Sequence, residues 1–243
     1  MQPVHLCFGM FEPLGVQNVK LDLELLAGAS VTLWSHCLFT AQVKARHAMD
    51  ANIRIGEGAA LRYQEIHYHG PSGGMEVAPR AQVNLERESR FLADFSLIQG
   101  RVGMLDIDYT VTVGEAAVAE LTSKVYGFGT DSIRIRERLH LNGTGARGLV
   151  KSRLAVRDDA TAEVTGATYG NAAGARGHVD CMEIVRDRAV ASAVPEVKVT
   201  HPRAKVTHEA AIGSVDSRQL ETLMARGIEP DAAVDIIVRG MLG

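Results

Sequence analysis

A chain of 243 residues, 46% hydrophobic and 23% charged, is long enough to bury a sizeable core as one large domain. Its formal charge of −3 argues against a general nucleic-acid binder, which carries a basic excess. No run approaches the roughly 18 apolar residues of a membrane-spanning helix, and residues 1–13 hold Glu12 with no basic leader region. The three cysteines, Cys7, Cys37 and Cys181, are far apart in sequence, which predicts free thiols in a reducing, cytoplasmic compartment. Abundant glycine (24 residues) and few aromatics (5%) favour tight turns and small side chains, as in a stacked β architecture.

Residues 1–18, with Pro3, Pro13 and two glycines, read as irregular. Val19 to Leu26 alternates apolar and charged residues, the period of a half-buried strand. Gly28 breaks it, Val31 to Trp34 resumes it, and His36-Cys37 follows. Ala51 to Ile55, the turn Gly56-Glu57-Gly58 and Leu61 to Ile66 continue the pattern into His67-Tyr68-His69-Gly70. Short strand-like segments then recur to about residue 213, separated by Gly, Asp or Asn turns. Such recurrence fits a β-helix, a sandwich or a barrel, because each needs one buried face per strand. No fixed repeat length stands out.

The period changes after residue 213. Asp216 suits a helix N-cap; Leu220, Leu223 and Met224 share one face, and Gly227 ends the helix. Pro230 suits the first turn of a second helix with Ala233 and Ile237 on its apolar side and Val234 less central, ended by Gly240. The predicted division is therefore a β core over 1–213 and an αα-hairpin over 214–243. The hairpin must bury its stripe on the β body or on a partner.

Chemistry-bearing residues fall in three places. Cys181 is a candidate thiolate ligand, with His178 and Asp180 just before it. On a regular strand, 178 and 180 face away from 181, so sharing a ligand set needs a turn or bulge. The competing reading is a small buried hydrophobe. His208-Glu209 forms a second pair, lacking the His-Glu-x-x-His zinc pattern; its alternative is a turn-capping histidine. His67 and His69 alternate on one strand face and can chelate together, while His36, Cys37 and His47 form an N-terminal cluster. A metal on His67 and His69 would make a cupin-like metalloenzyme. Gly143 to Gly148 matches G-x-G-x-x-G, but the strand-like segment after it rules out a dinucleotide fold, and there is no P-loop.

Pro195, His208-Glu209-Ala210, the acidic turn, Gln219-Leu220 and Arg226-Gly227-Ile228 together resemble the C-terminal part of the SufB/SufD family of iron–sulfur cluster assembly proteins, in a short form without their long N-terminal region. The resemblance implies a right-handed parallel β-helix and a SufC-like ABC-type ATPase as partner. Docking would use the C-terminal helices: Leu220, Leu223, Met224, Arg226 and Ile237. It also implies a cluster site at the contact between two chains, hence a homodimer, with ATP hydrolysis on the partner rather than on this chain. The functional cysteine that precedes the proline in SufB falls at Ala189 here, and Asp216 is the nearest counterpart of an acidic residue important in SufB. The ligand set implied is therefore Cys181 with His178, Asp180, His208 or Glu209, and Cys37 as a further thiol. The alternative within the family is a SufD-like structural subunit without a cluster.

Overall fold

Alternating strands stack when each buries one face on a shared lumen, and the computed structural model, which describes residues 2–40 and 44–242, shows this arrangement. One sheet is built from Val4–Met10 (β1), Ser30–Phe39 (β3), Ala60–His69 (β5), Arg90–Gln99 (β7), Val118–Gly127 (β9), Arg147–Val156 (β11), Arg176–Val185 (β13) and Lys205–Gly213 (β15). The other is built from Leu14–Leu25 (β2), Lys44–Ile55 (β4), Met75–Leu85 (β6), Gly103–Val113 (β8), Ser132–Leu141 (β10), Thr161–Gly170 (β12) and Val190–Val199 (β14). Successive strands alternate between the two sheets, and all pairings within each are parallel. This is a two-sheet parallel β-helix of about seven turns, so the sandwich and barrel alternatives fall away. The glycine-rich stretch 143–148 is a corner leading into β11 rather than a helix.

The repeat lies in the corners. At the corners after β2, β4, β6, β8, β10 and β12, the left-handed position is held by Gly28, Gly58, Glu88, Ala116, Gly145 and Gly174. Each of these donates its N–H to a carbonyl in the next rung. Left-handed backbone is costly for a residue with a Cβ, so glycine predominates there. The following position is small: Ala59, Ser89, Ala117, Ala146 and Ala175 are fully buried and let the rungs close.

Inside, in-register columns fill the lumen. Leu25, Ile55, Leu85, Val113 and Leu141 stack one above another, all buried. Burying each such side chain contributes roughly 1.5–3 kcal/mol. Residues 4–10 and 14–18, read as irregular from the sequence, are strands because β3 and β4 offer them ladder partners, which outweighs their weak alternation.

Two helices close the chain, Ser217–Met224 (α1) and Pro230–Leu242 (α2). The Asp216 side chain accepts a hydrogen bond from the Gln219 backbone N–H at 2.8 Å, as an N-cap should. Pro230 opens α2, and Gly227 takes a positive φ between the helices. The buried stripe of α2 is Ala233, Val234, Val238 and Leu242, packed over Tyr126 and Ala155. Val234 is therefore central, and Ile237 lies at the edge of the stripe, half-buried. Tyr126 donates to Asp235 Oδ1 at 2.8 Å, and Arg186 pairs with Asp231. By contrast, α1 buries none of its residues.

Candidate functional site

Two adjacent lumen columns carry the buried polar chemistry. One runs Ser35, Glu65, Phe95, Ser123, Ser152, Cys181, Ala210. Its neighbour runs Cys37, His67, Leu97, Val125, Leu154, Glu183, Ile212. Both are polar toward their ends and apolar at Phe95 and Leu97, so the lumen holds two separate polar groups. Glu65, Tyr109 and Glu137 border a void between the groups that is too small to admit water.

The N-terminal group is a closed network. Glu65 Oε2 accepts from Tyr63 OH at 2.9 Å and Tyr109 OH at 3.3 Å, and Glu65 Oε1 lies 2.8 Å from His67 Nε2. His67 Nδ1 lies 3.2 Å from His69 Nε2, and His69 Nδ1 lies 3.3 Å from the Arg101 carbonyl. A carbonyl only accepts, so His69 Nδ1 carries the proton and donates it. Burial pushes His69 down to about 3, so its Nε2 is bare and accepts from His67 Nδ1–H. Burial alone would raise Glu65; hydrogen bonding and charge from His67 hold it below its ordinary value. Cys37 lies beside them, its thiol pushed up by burial and by the Glu65 charge. Ser35 Oγ is 3.8 Å from its sulfur.

The C-terminal group is unfinished. Ser123 Oγ donates to Glu137 Oε1 at 2.6 Å, and Ser152 Oγ lies 3.3 Å from Glu183 Oε1. Glu137 Oε2, Glu183 Oε2 and Thr168 Oγ1 are buried without a hydrogen-bond partner. Burial pushes both carboxyls up to about 7 and the Cys181 thiol up to about 11. A Cβ on Gly166 would come within 3.6 Å of Cys181 Sγ and 2.7 Å of Val179. Glycine is therefore what lets Val179, Val150 and Cys181 pack against the opposite sheet.

β13 runs without a bulge, so His178 and Asp180 point outward while Cys181 points into the lumen. Asp180 is clamped by Arg153 at 2.6 Å, and His178 Nδ1 meets Thr207 Oγ1 at 2.8 Å. On β15, His208 is in register with Val179 and shares the lumen face of the last rung, whereas Glu209, in register with Asp180, faces outward. The structure thus brings Cys181 together with Glu183, under the rung that carries His208, and leaves His178, Asp180 and Glu209 outside. His36 sits on the outer face, its Nε2 3.3 Å from His5 Nδ1 and its ring edge-on to Trp34, apart from Cys37. His67 and His69 do share the inner face, but their facing nitrogens bond each other.

Glu65, Glu137 and Glu183 are the functional candidates that motif reading passes over. Their signal is parity: each occupies an inward position of its strand, and in β10 the other inward residues, Ile133, Ile135, Leu139 and Leu141, are all apolar.

Outside the lumen, at the same end as Cys181, the outer faces of β13 and β15 and the two helices enclose an open, mostly apolar groove of about 970 Å³. Met182, Ile184, Leu223, Ile236 and Met241 are among its walls, and Ile237 lines it too. Leu220 packs partly on the body under α2, Met224 is exposed, and Arg226 is exposed just past α1.

The family model for the SUF system FeS cluster assembly SufBD core domain matches residues 15–241. An iron–sulfur cluster assembly SufBD family protein of Methanocaldococcus jannaschii is 39% identical over 241 residues, covering 99% of this chain and 76% of its own. A SufBD family protein of Pyrococcus horikoshii is 34% identical over 241 residues, 99% of this chain and 73% of its own. The iron–sulfur cluster assembly protein SufB of Bacillus subtilis is 31% identical over 72 residues, 29% of this chain and 16% of its own.

Proposed function

The chain belongs to the SufBD family of iron–sulfur cluster assembly, and from that premise we propose that it is a scaffold subunit that carries a nascent cluster as cargo and works with a SufC-like ABC-type ATPase. The observation that carries this reading is a coincidence of place. The lumen thiol with unsatisfied neighbours and the apolar groove both belong to the last rungs, on opposite faces of β13.

Cys181 supplies the thiolate, and Glu183 and His208 supply oxygen and nitrogen donors on the same lumen face. The orphaned oxygens of Glu183 and Glu137 favour a cationic or protic guest, because a buried carboxylate without a partner is costly. At rest the thiol is buried and protonated, which suits a ligand exposed only when the last rung moves. The ATPase seats in the groove walled by α1 and α2, where Leu223 and Ile237 offer apolar contact. Motion of the α1 segment, which fully buries none of its side chains, reaches β13 and β15 through that groove. ATP is hydrolysed on the partner, so this chain is not itself an enzyme.

A second copy completes the assembly. β14 and β15 are terminal strands with one unpaired edge each, and Val194, Val197, Val199 and Ile212 are exposed on them. An uncapped solenoid end exposes strand edges and apolar surface, and pairing with a copy of itself covers both. Three free cysteines suit a reducing, cytoplasmic setting, and among the described residues no helix is long and apolar enough to cross a membrane.

The test is anaerobic co-expression with the candidate ATPase, followed by iron and acid-labile sulfide analysis of the purified complex. Near-equal iron and sulfide in the wild type, lost in Cys181→Ser with the complex intact, is the expected result. An intact complex without iron or sulfide favours the SufD-like structural role, for which the burial of Cys181 is the supporting observation. Failure to co-purify with the ATPase overturns the docking reading.

A further inference from the structure

The N-terminal polar group lies several rungs from Cys181 and is built differently, and the scaffold reading leaves it without a role. We propose that Cys37, Glu65 and His67 bind a single divalent transition-metal ion of the zinc or ferrous class inside the β-helix lumen, with His69, Tyr63, Tyr109 and Ser35 as the outer groups that orient them.

Three observations carry this. First, one ligand atom from each of the three residues lies within 4.8 Å of the other two, all in buried side chains. Cys37 and His67 are in-register neighbours on β3 and β5, and Glu65 precedes His67 by two on the same face, so the sheet itself sets the spacing. Second, His69 Nε2, on a ring tied to the Arg101 carbonyl, occupies His67 Nδ1 at 3.2 Å. That turns Nε2 toward Glu65 Oε1 at 2.8 Å, so both atoms converge on one position beside Cys37. Third, each ligand has its own support. Tyr63 and Tyr109 hold the other oxygen of Glu65, His69 holds the far nitrogen of His67, and Ser35 flanks Cys37. Histidine and carboxylate ligands of protein metal sites are oriented by such partners.

The donor set decides the ion. One sulfur, one nitrogen and one oxygen suit a borderline ion, and three protein ligands leave a fourth position open. Calcium and magnesium, which require oxygen ligands, are excluded. The ion takes the place of the proton between Nε2 and Oε1 and of the thiol proton, which pass to solvent. This differs from a two-histidine site, because His69 serves His67 rather than the metal.

β1 places Leu6 and Phe8 over Ser35 and Cys37, so loading is expected during folding rather than by diffusion into the folded chain. The test is anaerobic refolding of the full chain with Co²⁺, removal of excess metal, and measurement of bound cobalt and its absorption spectrum. The expected result is one equivalent with a thiolate-to-cobalt charge-transfer band. The double variant Cys7→Ser/Cys181→Ser keeps the band, since Cys37 is then the sole thiol, and Cys37→Ser loses it. Tyr63→Phe weakens binding by about tenfold. A chain that refolds by circular dichroism without retaining cobalt overturns the proposal. So does a band that survives Cys37→Ser or disappears in the double variant. The protein is tested without its ATPase or sulfide, so the outcome does not depend on the cluster reading.

Discussion

The two ends of the same lumen columns invite comparison. At one end, Ser35, Glu65, Cys37 and His67 sit in a network in which both Glu65 oxygens and both His67 nitrogens have partners. At the other, Ser152, Cys181 and Glu183 occupy the same columns and face Glu137, and three buried oxygens have no partner. Burial is nearly equal: Glu65 is 2% exposed and Glu183 1%. The difference is therefore satisfaction rather than solvent access. A closed network stabilises the resting fold, whereas unsatisfied buried carboxyls destabilise it unless they hold a proton or a guest.

This contrast breaks most sharply under mutation. Glu65→Ala removes the shared partner of His67, Tyr63 and Tyr109, so a loss of about 3–5 kcal/mol is expected in denaturant unfolding of the metal-free chain. A loss under about 1 kcal/mol would erase the distinction between the ends.

Glu137→Gln should move stability in the opposite direction, and its pH dependence carries the sign. The folded carboxyl is raised from 4.5 to about 7, so it holds a proton that the unfolded chain has already released. Its stabilising influence is fully present below pH 4.5, declines as pH rises through that interval, and is gone above about 7. The amide does not ionise, so the variant gains up to about 3 kcal/mol on the wild type above pH 7, narrowing toward zero below 4.5. Unfolding curves across this range decide it; a constant offset at every pH would contradict the assignment.

Smaller effects test the supports around the C-terminal end. Tyr126→Phe loses the hydrogen bond to Asp235 and should cost about 1 kcal/mol. Amide hydrogen exchange in α2 should rise before exchange in the strands does. Ala116→Gly relieves a left-handed residue with a Cβ and should gain up to about 1 kcal/mol in unfolding experiments, confirming that the corner repeats through non-glycine positions. A loss of stability there would mean that the alanine methyl packs usefully.

Much of this arrangement was legible in the chain. Alternation marked most strands, and Asp216, Gly227 and Pro230 marked the hairpin at their observed positions. The repeat was hidden because Glu88 and Ala116 stand where glycine holds the same corner position in other rungs, and because corner spacing varies from 28 to 30 residues. Once the repeat is lost, so is the register across rungs. That is why the sequence alone does not join Cys37 to His67, its neighbour in the sheet, or mark Glu65. Strand parity did separate Cys181 from His178 and Asp180. It could not show which residues complete the group, since Glu137 and Gly166 come from the opposite sheet. The helix stripe was placed one residue off, at Ile237 rather than Val238, because the body that selects the buried face lies in β9 and β11.

The most direct test of the difference between the ends is iron and acid-labile sulfide content of the complex with the ATPase, compared among wild type, Cys37→Ser and Cys181→Ser after anaerobic co-expression. The account predicts sulfide with matching cluster iron in the wild type, loss of that sulfide and its iron in Cys181→Ser, and retention of both in Cys37→Ser. Sulfide lost in Cys37→Ser but kept in Cys181→Ser would contradict it, placing the cargo at the closed end of the lumen.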